Sequence, residues 1–229
     1  MPEALSNLGI TLALCYAAWG FFYGVLHRRG IDYSQYYGWT TLYFVAVALG
    51  LAFIFWNTLA PVLQNYSPTP LVVLGSVMFL QLVAYVLVPK YLQGPRDYFE
   101  MYPNRQYLKI DWRRLIPKSA DILAQQVFIV LLVLFLRDVG LSFYEIVFYF
   151  GILFAFLHIP LLVLEWRRWP MFLFSGAVIG FSLVFPYLIL YVPYGFAYNI
   201  IIHWLFYTVM AVVFWVYHAR TQHSRQKAD

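Results

Sequence analysis

The sequence predicts an all-α polytopic membrane protein, and three observations carry that prediction. The chain is 63% hydrophobic and only 11% charged, with a mean hydropathy of +0.70, whereas soluble domains carry roughly a quarter charged residues. Residues 4–26, 33–89 and 169–219 contain no Asp, Glu, Lys or Arg. A spanning helix needs about 20 apolar residues, so the last two stretches each hold two passes. Finally, the basic residues cluster in the segments that join alternate passes.

Taken in order, helices are expected at about 4–26, 38–60, 70–92, 119–136, 142–166, 170–191 and 195–218. No basic residue precedes the first apolar run, and the run outlasts a normal signal core, so it reads as a retained helix rather than a cleaved signal. It contains Cys15, the single cysteine of the chain, which excludes an intrachain disulfide and a thiolate metal cluster. "PVLQNYSPTP" separates the second helix from the third. Residues 93–118 form a basic, aromatic loop whose "YLKIDWRRLIPK" mixes Tyr, Trp and Leu with cations, as an interfacial segment does. Anchoring the flanking helices explains it more simply than lipid-headgroup capture. Pro186 is expected to kink the sixth helix near its end, and "YVPYG" separates the sixth from the seventh.

Orientation follows from Lys and Arg. Arg28 and Arg29, then Lys90, Arg96, Arg105, Lys109, Arg113, Arg114 and Lys118, then Arg167 and Arg168, then Arg220, Arg225 and Lys227 make fourteen of the 15 basic residues. Seven passes put all four groups on one side and leave Arg137 alone on the other. The positive-inside rule then places the N-terminus outside and residues 219–229 in a cytoplasmic tail, with the chain integral to the cell (inner) membrane. Topology accounts for the net charge of +5, and nucleic-acid binding is not indicated. The lipid bilayer is the first partner. There is no internal repeat, nucleotide-binding glycine loop or low-complexity segment.

Polar side chains inside a membrane are costly and usually face a bundle interior or a wet cavity. "DILAQQVFIV" carries Gln125 and Gln126, "FAFLHIPLL" carries His158, and "YNIIIHWLFY" carries His203. At about 1.5 Å per residue, Gln125 lies roughly 9 Å and His158 roughly 12 Å inside the cytoplasmic ends of their helices. Asp121 is one turn before Gln125, Phe154 one turn from His158, and Asn199 and Tyr207 one turn either side of His203. Gly176 and Gly180, in "SGAVIG", permit close helix approach. Taken singly, such groups most often act as interhelical hydrogen-bond glue, worth about 1 kcal/mol or less. Three helices delivering them to similar depth predict a shared centre.

The order of these motifs resembles the CPBP (Abi) family of intramembrane proteases, which includes the CAAX prenyl proteases. That family carries a Glu-Glu-x-x-x-Arg helix, a Phe-x-x-x-His helix, a glycine-rich helix and a His-x-x-x-Asn/Asp helix. Phe154 and His158 match the second motif, Gly176 and Gly180 the third, and His203 the histidine of the fourth. Tyr207 stands where Asn or Asp is usual, Gln125 and Gln126 replace the glutamates, and Val130 the arginine. The resemblance covers residues 119–218 and implies that these last four helices form a CPBP-type core, with 1–92 packed around it.

In the family, a glutamate and the histidines are thought to activate the attacking water, and the Asn to hold the oxyanion. Glutamine has no basic site of suitable pKa, and losing a general base typically costs about 100- to 10,000-fold. Asp121 sits a turn nearer the cytoplasm, Glu165 two turns beyond His158, and Glu145 near the opposite surface. None is a ready substitute. A metal on His158, His203 and Asp121 would lack supporting carboxylates, so neither metal nor cofactor is expected. The resemblance therefore implies a pseudoprotease whose cavity, lined by Gln125, Gln126, His158, Asn199 and His203, binds a membrane peptide or a partner's transmembrane helix. Two alternatives stand beside it: an active endopeptidase of CAAX-protease type, and a transporter-like protein.

Overall fold

A computed structural model describes residues 2–31, 33, 36–63, 68–92, 94–101, 108–164 and 169–226. The described residues are helical and contain no strand. Helix α1 (Pro2–Phe21) continues through a π turn, Phe22–Leu26, and a 3₁₀ turn, His27–Arg29, to Gly30 at φ 81. Such a left-handed cap suits glycine. Then come α2 (Tyr37–Ile54), α3 (Trp56–Leu63), α4 (Pro68–Tyr91), α5 (Arg96–Met101), α6 (Trp112–Asp138), α7 (Phe143–Leu164), α8 (Trp169–Tyr191) and α9 (Gly195–Gln226).

Among the described residues, five helical segments are by length and composition apolar enough to cross a membrane: Pro2–Arg29, Tyr37–Ile54, Pro68–Tyr91, Trp112–Asp138 and Gly195–Ala219. Within α7 and α8, the stretches Phe143–Ile159 and Ser175–Tyr191 are also apolar. Three boundaries differ from expectation. The second helix breaks at Phe55 (φ −111, ψ 29) into α2 and α3. The fourth begins at Trp112, because Asp111 caps it by accepting from the Arg113 backbone N–H at 3.0 Å. The seventh runs to Gln226, so most of the expected tail is helix. Arg105, Arg167, Arg168, Lys227 and Glu165 lie outside the described residues.

Helix α6 is the axis of the bundle. Its residues 127–136 are ten consecutive buried apolar side chains, and a helix apolar on every face belongs in a core. It packs against α1, α2, α3, α4, α7, α8 and α9. One apolar cluster joins α1–α3 to α6, α7 and α8 through Phe22, Phe44, Phe55, Phe135, Phe150 and Phe185. A second joins α4 to α9 and the 108–110 segment through Tyr85, Leu108, Trp204, Phe214 and Trp215. The Trp215 indole N–H donates to the Leu108 carbonyl at 3.0 Å. A Cβ on Gly94 would stand 2.8 Å from the Trp215 ring, so this end of the basic loop packs on α9. By contrast, most of α4 faces outward, with Val72, Phe79 and Leu80 each more than 60% exposed. Lipid is the natural cover for such a face.

Candidate functional site

The site forms where α6, α7, α8 and α9 meet. On α9, His203 is 2% exposed. Gln126 on α6 faces it, and its amide Nε2 donates to His203 Nδ1 at 2.8 Å. An amide nitrogen only donates, so Nδ1 is the bare acceptor and the ring proton sits on Nε2. On α7, His158 Nδ1 lies 2.7 Å from the Phe154 carbonyl oxygen. A carbonyl only accepts, so here Nδ1 carries the proton and Nε2 the lone pair. The two imidazoles thus hold opposite tautomers.

Aromatic rings fix both. The Phe154 ring packs on His158 with centroids 4.4 Å apart. Tyr207 stacks on His203 at 5.4 Å and 26°, and Phe181 and Phe185 flank it at 5.9 and 5.7 Å. Between the imidazoles lies a crevice of about 220 Å³, its open mouth included, lined by Phe154, His158, Phe181, His203, Phe206 and Tyr207 among others. Both histidines therefore face one hollow. Gln125, Gln126 and Asn199 do not line it. Asn199 is fully buried; its Nδ2 reaches the Phe185 carbonyl only at 3.5 Å, and its Oδ1 has no partner. The Oε1 of Gln126 is likewise buried without a partner.

A second polar knot lies one turn toward the α6 N-terminus. Asp121 is 0% exposed and accepts from four donors: Lys118 Nζ at 2.8 Å, Gln125 Nε2 at 2.8 Å, Tyr33 O–H at 3.0 Å and Trp19 Nε1 at 3.1 Å. A buried carboxylate needs such company. Burial and the Asp121 charge push the Tyr33 phenol well above its ordinary range, so it stays an O–H donor. Lys118 also sits 4.1 Å over the Tyr207 ring, which links this knot to the histidine pair.

The expected residues thus fall into two groups. Phe154, His158, His203 and Tyr207 line the crevice with Gln126 behind His203, Asp121 and Gln125 belong to the knot, and Asn199 belongs to neither. Glu145 is spent at the start of α7, where its carboxylate accepts from the backbone N–H and hydroxyl of Ser142 at 2.8 and 2.6 Å, half of a capping box. Gly176 and Gly180 do not draw helices together within the chain: a Cβ on either would meet nothing within 4 Å. Trp19, Tyr33 and Lys118 were missed. Only Lys118 left a local signal, its spacing of three from Asp121. Among the described residues no group of three His, Cys, Asp or Glu could hold a metal ion. Compared with protein-family models, curated proteins and solved structures, the chain matches none of them.

Proposed function

We propose that this chain is a seven-pass, CPBP-like protein of the cell membrane, N-terminus out and C-terminus cytoplasmic, whose peptidase chemistry is disabled. It serves as a scaffold that binds a membrane peptide or a partner's transmembrane helix. The observation that carries this reading is the state of Asp121, the one buried carboxylate among the described residues. Its two oxygens are taken by four donors, one of them a cation. A general base needs a lone pair within reach of water, and this carboxylate has none to spare. Where a family glutamate would bear on His203, Gln126 is a donor. Within its open mouth the crevice has room for about one water-sized group, which is small for a peptide undergoing cleavage.

Transport is disfavoured because residues 127–136 of the axial helix are apolar and buried, so no polar path continues past Gln126 along α6. On α8, Gly176, Ile179, Gly180 and Leu183 share one exposed face, the kind of surface on which a second transmembrane helix can come close.

The deciding experiment is a proteolysis assay on membrane peptides with the parent chain, His158→Ala and Gln126→Glu, run beside crosslinking in native membranes from a photoreactive residue at position 180. The expected result is no cleavage by the parent, and a crosslinked partner in all three. Cleavage by the parent that is lost in His158→Ala overturns the proposal.

A further inference from the structure

Two imidazoles line the crevice between α7, α8 and α9, and each keeps one ring nitrogen without a hydrogen bond among the described residues. His158 Nδ1 is held by the Phe154 carbonyl and His203 Nδ1 by Gln126, which leaves both Nε2 atoms without a partner among the described residues. One is a bare lone pair, the other an N–H. Leaving a desolvated polar group unpaired is costly, and an acyl chain offers nothing to pair with it. The surroundings are aromatic and aliphatic: Phe181, Phe206 and Val178 complete the walls. Next in sequence to lining residues, Ile159, Ile179 and Leu205 are exposed by 45%, 74% and 39%. The surface beside the crevice is therefore lipid-like.

One water could bridge two such nitrogens, and a hydroxyl meets the same two partners while its chain lies against the apolar surface beside the crevice. We propose that this crevice is a binding site for the uncharged O–H head of a single-chain lipid. Its hydroxyl hydrogen is donated to His158 Nε2, its oxygen accepts from His203 Nε2–H, and its chain leaves between the exposed apolar side chains into the bilayer. Within its open mouth the crevice has room for about one water-sized group, so it admits the hydroxyl with the chain lying outside, and it excludes a ring system or a helix. A long-chain alcohol and a protonated fatty acid share this chemistry. The proposal does not depend on the partner-helix reading, which concerns the outer face of α8.

The test uses the full-length chain in nanodiscs with three diazirine-bearing 16-carbon probes: the alcohol, the fatty acid and the alkane. Adduct sites are read by mass spectrometry. Saturable labelling of crevice residues by the alcohol, or by the acid at pH 5 and not at pH 8, is the expected result, and it tells the two sources apart. His158→Leu should weaken labelling about fivefold or more, the loss of one hydrogen bond. Ala177→Leu, which fills the crevice without touching either imidazole, should abolish it and serves as the control if His158→Leu does not fold. Equal labelling by the alkane, or no saturable labelling by alcohol or acid, overturns the proposal. Crosslinking from position 180 that survives such a failure leaves the partner reading standing.

Discussion

Replacing Asp121 by Asn tests whether the buried knot holds the N-terminal helix and the following loop to the axis of the bundle. The carboxylate accepts two donors on each oxygen: Trp19 and Gln125 on Oδ1, Tyr33 and Lys118 on Oδ2. Asparagine keeps the shape but turns one oxygen into an NH₂. Whichever way the amide lies, two donors then face a donor. Hydrogen bonds to a charged group are worth about 1.5–3 kcal/mol each, and breaking a buried ion pair costs about 3–5 kcal/mol. The Lys118 side chain is 19% exposed and keeps the Tyr207 ring, so part of its charge is still met. A loss of about 2–4 kcal/mol follows for Asp121→Asn. Reversible unfolding by denaturing detergent in mixed micelles reads it. Adding Lys118→Met removes the stranded cation and should restore at least about 1.5 kcal/mol, the coupling of a contacting pair. A single variant within about 0.5 kcal/mol of the parent, or strict additivity in the double, refutes the idea that this pair is structural.

The same titration checks two further outcomes. Gln126→Leu removes the donor to His203 Nδ1 but also the partnerless Oε1, so the net cost should be about 1 kcal/mol, near the value of one ordinary hydrogen bond. Gly195→Ala places a Cβ against the Leu188 carbonyl in the turn between α8 and α9, whereas Gly176→Ala meets open space. The first should cost about 2 kcal/mol or more and the second should be neutral within about 0.5 kcal/mol, by the usual penalty for backbone overlap against an exposed substitution.

Most helices were legible because membrane solvent writes them as charge-free runs, and no tertiary knowledge is needed to see such a run. The break at Phe55 was not, because "AFIFWNTLAPV" shows no Gly or Pro before Pro61, and the edge-on contact of Phe55 with Phe135 is a tertiary one. The start of α6 was misplaced because Pro117 and its neighbouring cations look like loop, although Asp111 is an ordinary capping residue. Within the site, contacts of one helical turn were readable in advance: Phe154 with His158, and Asp121 with Gln125. Adjacent residues on a helix point about 100° apart, so sequence could not say which of Gln125 and Gln126 faces α9. Trp19 and Tyr33 reach Asp121 across 102 and 88 residues. No local pattern encodes that.

The choice of Gln over Glu at position 126 has a consequence that reaches the crevice through His203. A carboxylate at that distance from Nδ1 only accepts, so it would draw the ring proton to Nδ1 and leave Nε2 bare. With His158 Nε2 already bare, the crevice would then hold two bases facing one space, an arrangement suited to taking a proton from water. The amide reverses this. It donates to Nδ1, keeps the proton on the Nε2 of His203, and leaves the crevice with one donor and one acceptor. That pair can hold an oxygen in place, with the Nε2 of His158 as its one bare base. A single atom in the side chain of residue 126 therefore sets the tautomer of His203, and with Gln126 the one bare Nε2 of the pair belongs to His158.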